Sequence, residues 1–394
     1  MSKVVQSRLV QNRRDVLAGI GAMGLAGCAP RVAGQAVLAP GFVKPPLVPI
    51  DVRAERIAKI TVCLRPFRAA GPRIEAETVA AKRVVHNYGH GGSGWSLSWG
   101  SAEVAAGLAL EGGARDIAVI GCGAIGLTTA LTLQRAGARV TIYAKERAPE
   151  TRSARATGTW SPDSRVADRA RVSADFPDRW ERMARASWAT HLGYVGTAGN
   201  PVFWSDFYIL RDKEEQQQAY APPANAIDFA HYGGRLRDLA PRSRPLTRAE
   251  HPFPVAEARL MPSLTFNVAE LSHRLMADFL LEGGRIEQMI FETPADLARL
   301  KQPVVVNCTG YGARALWKDE TITPVRGQIA WLPPQRGVDY SLYYRGVSLL
   351  PRPDGIVVQA VGPSEMFGYG DASEVADRAE AEAALAAVAP LFTS

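Results

Sequence analysis

Cysteine and histidine are scarce, four and six in 394 residues. Cys28, Cys63, Cys122 and Cys308 never stand at metal-ligand spacing, which argues against a zinc site or a disulfide framework. His86 and His90 have no partner at metal or triad spacing, so each is expected to be a buried histidine bonded to backbone. No internal repeat is found. Glycine (36) and proline (27) are near ordinary usage, which excludes collagen-like and low-complexity architectures. The net charge is +7, yet no basic run is interleaved with aromatics, so the arginines scattered among acids read as solvated faces and nucleic acid is not expected as a partner.

A hydrophobic content of 47% over this length suffices for a large core and two domains. The first 27 residues stand apart. Arg13-Arg14 precede an apolar run, Val16 to Ala26, which is too short to span a bilayer and ends in Leu25-Ala26-Gly27-Cys28. The pattern reads as a twin-arginine export signal (1–27) with Cys28 as the acylated anchor, which implies a membrane-anchored lipoprotein on the periplasmic face. An ordinary apolar N-terminal helix is the alternative. Residues 1–27 carry four cations against one acid, so removing them leaves +4. Pro30, Pro40, Pro45, Pro46 and Pro49 make 28–53 a stiff tether.

Asp116 to Ile120 reads as a strand, Gly121-Cys122-Gly123-Ala124-Ile125-Gly126 as a glycine loop, the stretch to Ala136 as a helix, and Arg139 to Tyr143 as a second strand. The first glycine permits the tight turn, the second lets backbone approach a pyrophosphate, and the third lets helix pack on strand. The helix N-terminus then offers unpaired N–H groups to phosphate. Gly121, Gly123, Ala124, Ile125 and Gly126 are therefore candidate dinucleotide contacts. Glu146, just after the second strand, is the candidate ribose acceptor, with a solvated loop residue as the alternative. The loop alone does not separate NAD from FAD.

Three further stretches do. Arg83-Val-Val-His-Asn-Tyr-Gly-His-Gly-Gly-Ser-Gly-Trp-Ser-Leu-Ser-Trp-Gly100 closely resembles the signature of the D-amino acid oxidase family. Val304-Val-Val-Asn-Cys-Thr-Gly310, with Pro324-Val-Arg-Gly-Gln328, resembles its second flavin-contacting strand and the segment after it. Cys63-Leu-Arg-Pro-Phe-Arg68 resembles its substrate-arginine strand, and Gly158-Thr-Trp160-Ser-Pro162 extends the likeness over most of residues 54–394. The resemblance implies an α/β fold, a Rossmann-type FAD-binding domain with a mixed-sheet substrate domain. It implies FAD contacts from Gly91, Gly94, Trp95, Ser96, Gly158, Trp160, Thr309 and Gly310. The glycines from 89 to 94 read as places where a ligand nears the backbone.

The segment order departs from the family, whose dinucleotide fold opens the chain and whose substrate arginine and histidine-glycine segment close it. Here those two stand first and run through Glu111-Gly-Gly-Ala-Arg115 into the dinucleotide strand. A circular permutation is the economical account, and a mosaic with missing pieces is the alternative. The expected layout is a substrate-domain strand at 54–72, the FAD core at 73–164, a substrate or cap domain at 165–254, a second FAD part at 255–315 and a second substrate part at 316–394.

The resemblance also implies a mechanism in which Arg65 clamps the substrate carboxylate, since a guanidinium fork matches it bidentately. The Gly92 carbonyl then receives the amine, and hydride passes from Cα to flavin N5, giving an imino acid. Dioxygen would yield hydrogen peroxide, and a quinone is the alternative acceptor for a tethered protein. A glycine or secondary-amine oxidase and a quinone-coupled dehydrogenase are same-fold alternatives. A flavin-carrying binding protein without turnover is the alternative of another class. It draws on a departure: the family's carboxylate-holding tyrosines have no counterpart in 258–268. Tyr340, Tyr343 and Tyr344 could replace them or simply pack on a strand.

Overall fold

The computed structural model describes residues 46–213 and 226–393, whose strands form two sheets. The export signal, Cys28 and most of the tether lie outside the described residues. The larger sheet contains β1 (Lys59–Arg68), β6 (Val202–Arg211), β7 (Arg244–Leu246), β8 (Glu257–Phe266), β11 (Ile322–Leu332), β12 (Tyr340–Tyr344), β13 (Val347–Arg352) and β14 (Gly355–Ala360). The smaller contains β2 (Arg73–Val79), β3 (Lys82–Tyr88), β4 (Asp116–Ile120), β5 (Arg139–Ala144), β9 (Arg285–Gln288) and β10 (Val304–Asn307). The fold is mixed α/β.

In the smaller sheet the order is β2-β3-β10-β4-β5-β9, parallel throughout except for antiparallel β2 at one edge. Strands buried on both faces read as continuous apolar runs, and Val304-Val-Val-Asn307 is buried at every position. β10 lies between β3 and β4, with Val306 level with both Val85 and Val119. Helices α1 (Gly94–Leu110) and α2 (Ala124–Arg135) pack against each other and this sheet, and α4 (Val268–Leu281) packs on α2. From α1 the chain turns through Glu111–Gly113 into β4. Gly112 and Gly113 take φ of +79° and +81°, a region that favours glycine, and both are exposed.

The larger sheet runs β1-β11-β14-β13-β12-β6-β8-β7 and is antiparallel except where β12 meets β6. β1 pairs with β11 along its whole length, which sets Arg65 opposite Val325. Behind this sheet lies an apolar cluster formed by Ile50, Val52, Leu349 and Val358 with Leu385 and Val388 of the helix Arg378–Val388. Arg378 Nη2 also donates to the Ala54 carbonyl at 3.3 Å, so the first described segment lies beside the last helix.

Residues 257–266, assigned above to the second FAD part, form β8 of the larger sheet, because their pairing partner is β6 at 202–211. Helix α3 (Phe176–Leu192), assigned to the cap domain, packs on α1: a Cβ on Gly100 would stand 2.1 Å from the Met183 carbonyl oxygen. Among the described residues no helix is long and apolar enough to cross a membrane.

Candidate active site

A cavity of about 500 Å³ opens where the two sheets meet, and most of the candidate residues line it. Its floor is the β4–α2 turn. Gly121 takes φ +108°, and a Cβ there would lie 2.6 Å from the Cys308 carbonyl oxygen, so the first glycine lets the ends of β4 and β10 come together. A Cβ on Gly126 would lie 2.0 Å from the Gly121 carbonyl oxygen. The third glycine thus seats helix on strand, and it does not line the cavity. The N–H of Ala124 donates to Ser153 Oγ at 3.0 Å, which places the loop after β5 across the start of α2.

The second wall is the segment 89–96. All four of its glycines line the cavity, and three of them also admit neighbouring protein atoms. A Cβ on Gly89 would meet the Arg68 side chain at 2.5 Å, one on Gly91 the Arg165 carbonyl oxygen at 1.8 Å, and one on Gly92 Ser164 Oγ at 2.6 Å. Gly94 and, across the cavity, Gly310 differ. Both line it, and nothing stands within 4 Å of a Cβ built on either. Side chains there would fill the space a planar ligand needs.

Trp95 and Ser96 also line the cavity, with their polar atoms already engaged: Trp95 Nε1 donates to the Ser153 carbonyl at 2.9 Å and Ser96 Oγ accepts from the Ser161 N–H at 2.8 Å. They shape the wall and fasten it to loop 151–161. Glu146 lies at the far end beside Lys145, 3.7 Å away, while Gly158 and Thr309 line the cavity between the ends. Trp160 is not among the lining residues; it packs edge-on against Trp188 with ring centroids 5.0 Å apart.

Arg65 comes from β1, which joins the glycine segment directly: the Gly91 N–H donates to the Pro66 carbonyl at 2.9 Å. The guanidinium lies flat over Gly327, where a Cβ would be 2.4 Å from Nη2, and donates to the Arg326 carbonyl at 3.2 Å. Burial weakens its hold on the proton, and no ion-pair partner stands beside it among the described residues. Arg65 and Gly92 therefore share one cavity with the β4–α2 turn, despite a segment order that separates them.

The histidines differ from expectation. His86 Nε2 meets Glu77 Oε1 at 2.6 Å and its Nδ1 meets Asn307 Nδ2 at 3.0 Å, so its partners are side chains. His90 lines the cavity with Nε2 unpartnered, and burial pushes it down to about 3, so it stays neutral at neutral pH. None of Tyr340, Tyr343 and Tyr344 lines the cavity. Tyr340 donates to the Val48 carbonyl at 2.9 Å and Tyr344 to Asp212 at 2.7 Å, which leaves them packing roles. The residues missed in the sequence include Ser153, Tyr311, Gln359 and Arg165, all of them lining the cavity. A glycine inside a buried strand, Gly327, was a legible signal for the seat of Arg65.

The DAO family, described as FAD dependent oxidoreductase, matches residues 116–394. The D-amino-acid oxidase of Streptomyces coelicolor is 31% identical over 221 residues, 54% of this chain and 58% of that protein. The D-amino acid oxidase of Dugesia ryukyuensis is 26% identical over 246 residues, 61% of this chain and 68% of that protein. The chain thus spans a little over half the length of the Streptomyces protein it matches. The crystal structure of a glycine oxidase from Bacillus cereus aligns with a TM-score of 0.44 at 17% identity, covering 62% of this chain and 70% of that one.

Proposed function

From the premise that this chain belongs to the DAO family of FAD dependent oxidoreductases, we propose that it oxidises a D-amino acid to the imino acid, with dioxygen as final acceptor. The observation that carries this reading is the convergence of Arg65, Gly92 and the Gly121–Ile125 turn on one cavity. The open space beside Gly94 and Gly310 fits a bound FAD. The α2 N-terminus and Ser153 would face its phosphates, Glu146 its ribose, and Gly94, Thr309 and Gly310 its ring system.

FAD, when bound, supplies the two-electron acceptor for the Cα hydride. The chain orients the substrate. Arg65 holds the carboxylate by charge-assisted bonds, and the Gly92 carbonyl accepts from the amine, so the Cα–H bond has one direction to point. His90, kept neutral by burial, adds no competing charge. The amine nitrogen keeps its lone pair to form the C=N bond as hydride departs, and the imino acid hydrolyses in water to 2-oxo acid and ammonia. Anaerobic mixing with a panel of D-amino acids is expected to bleach the yellow protein, and in air one peroxide should form per substrate consumed. Bleaching without peroxide would assign a dehydrogenase, and no bleaching with any amino acid or amine would end the oxidase reading.

The chain is read as a circular permutation of the family's order. In support, residues 111–113 form an exposed, glycine-bent link between α1 and β4, and Ile50 and Val52 share an apolar cluster with the helix Arg378–Val388. A rearranged gene that begins at residue 114 and joins residue 393 to residue 46 by a short linker should give a soluble protein that retains FAD. A rearranged chain without flavin would contradict the permutation.

Export and anchoring at the periplasmic face are proposed on Arg13-Arg14 and Cys28 alone. Cys28→Ser should move the full-length protein from the membrane to the soluble fraction and abolish labelling with a fatty acid. A wild-type protein that takes up no label would exclude the anchor.

A further inference from the structure

Arg165 lines the same cavity as Arg65, and its guanidinium likewise has no carboxylate within ion-pair distance among the described residues. Its Nε donates to the Glu365 carbonyl at 2.7 Å, while the Glu365 carboxylate faces His231 at 3.3 Å. Of the other lining arginines, Arg152 is paired with Glu374 at 2.9 Å and Arg155 donates to the Val62 carbonyl at 3.3 Å and the Glu150 carbonyl at 3.1 Å. Glu146 carries the sole carboxylate among the lining residues and lies beside Lys145. Arg65 and Arg165 therefore line the cavity with no carboxylate in ion-pair contact with either among the described residues.

The position of Arg165 is built. The residue is 7% exposed and takes φ +48°, unusual for a side chain with a Cβ. Its loop is clamped onto the glycine segment: the Gly92 N–H and the Ser93 hydroxyl both donate to the Ser164 carbonyl, each at 3.0 Å. A backbone held this way fixes the root of the side chain next to the carbonyl proposed to receive the substrate amine. Burial and the nearby charge of Arg65 bring the Arg165 pKa down to about 10 against the opposing charge of Glu365.

Two buried like charges are costly unless a ligand neutralises both. A substrate with one carboxylate answers one of them. Resting on the oxidase reading above, we propose that the substrate is an acidic amino acid, with Arg65 taking the α-carboxylate and Arg165 the side-chain carboxylate.

The test uses the flavin-loaded protein and follows anaerobic bleaching by D-aspartate and D-glutamate against D-asparagine and D-glutamine. Wild type is expected to favour each acid over its amide by about 100-fold in the second-order rate, the scale of a buried charge pair. Arg165→Met should erase that preference and Arg165→Lys restore part of it. Amides that bleach as fast as acids in the wild type, or equal losses for both in Arg165→Met, would overturn the assignment. A readout without turnover separates the two readings: succinate should raise the melting temperature more than propionate, and Arg165→Met should cancel the difference. Stabilisation by succinate through Arg165 without bleaching by any amino acid would sink the oxidase reading and keep the dicarboxylate site. Bleaching by neutral amino acids alone would do the reverse.

Discussion

Arg65→Leu is expected to give a folded, yellow protein that amino acids reduce about 30- to 5,000-fold more slowly, since truncating one partner of a desolvated charge pair costs about 2 to 5 kcal/mol. The fold should not suffer. The Arg65 guanidinium has a carbonyl as its one hydrogen-bond partner and no ion pair among the described residues, so leucine orphans no buried carboxylate. It also removes a charge that burial disfavours, which makes an unchanged or higher melting temperature the expected result. Arg65→Lys should recover little, because an ammonium on a flexible stem cannot reproduce a fork laid flat over Gly327. Stopped-flow reduction and thermal melts on the three proteins decide the matter. Wild-type rates in Arg65→Leu would remove the residue from the substrate site, and loss of flavin would make it a cofactor residue.

How much of this was legible beforehand follows from the range of each interaction. The β4–α2 turn was readable because its requirement is local, with strand, glycines and helix all within Asp116 to Arg135. The placement of Arg65 beside Gly92 was reached through resemblance, and β1 does bond to the glycine segment through Pro66. The packing tasks of Gly89, Gly91 and Gly92 were not legible because the groups they admit, the Arg68 side chain and residues 164–165, belong to other segments, and no pattern within 83–100 reveals them. Arg165 escaped for the same reason: in a chain with 46 lysines and arginines, only a missing partner distinguishes one, and partners are a property of the fold. The pairing of β6 with β8 joins residues about fifty positions apart, so the strand boundary at 257–266 could not be read from its own composition.

Gly126→Val is expected to have the other large effect, on cofactor and fold together. A Cβ at this position would stand 2.0 Å from the Gly121 carbonyl oxygen and 2.8 Å from its carbon, both backbone atoms of the turn. Neither is the mobile end of a side chain, so α2 must move away from β4. Overpacking of this kind costs about 1 to 3 kcal/mol, and the two further methyl groups of valine press the same contact. The displacement also carries the α2 N-terminus, with the Ala124 N–H and its bond to Ser153, away from where phosphate would lie. Flavin content should therefore fall further than stability does. Gly94→Ala is the informative comparison, because a Cβ there meets no protein atom within 4 Å and projects into the cavity. It should leave the melting temperature of the flavin-free protein unchanged while weakening FAD. Equal flavin occupancy in wild type, Gly94→Ala and Gly126→Val, measured by absorbance per protein, would mean that FAD binds elsewhere than this cavity.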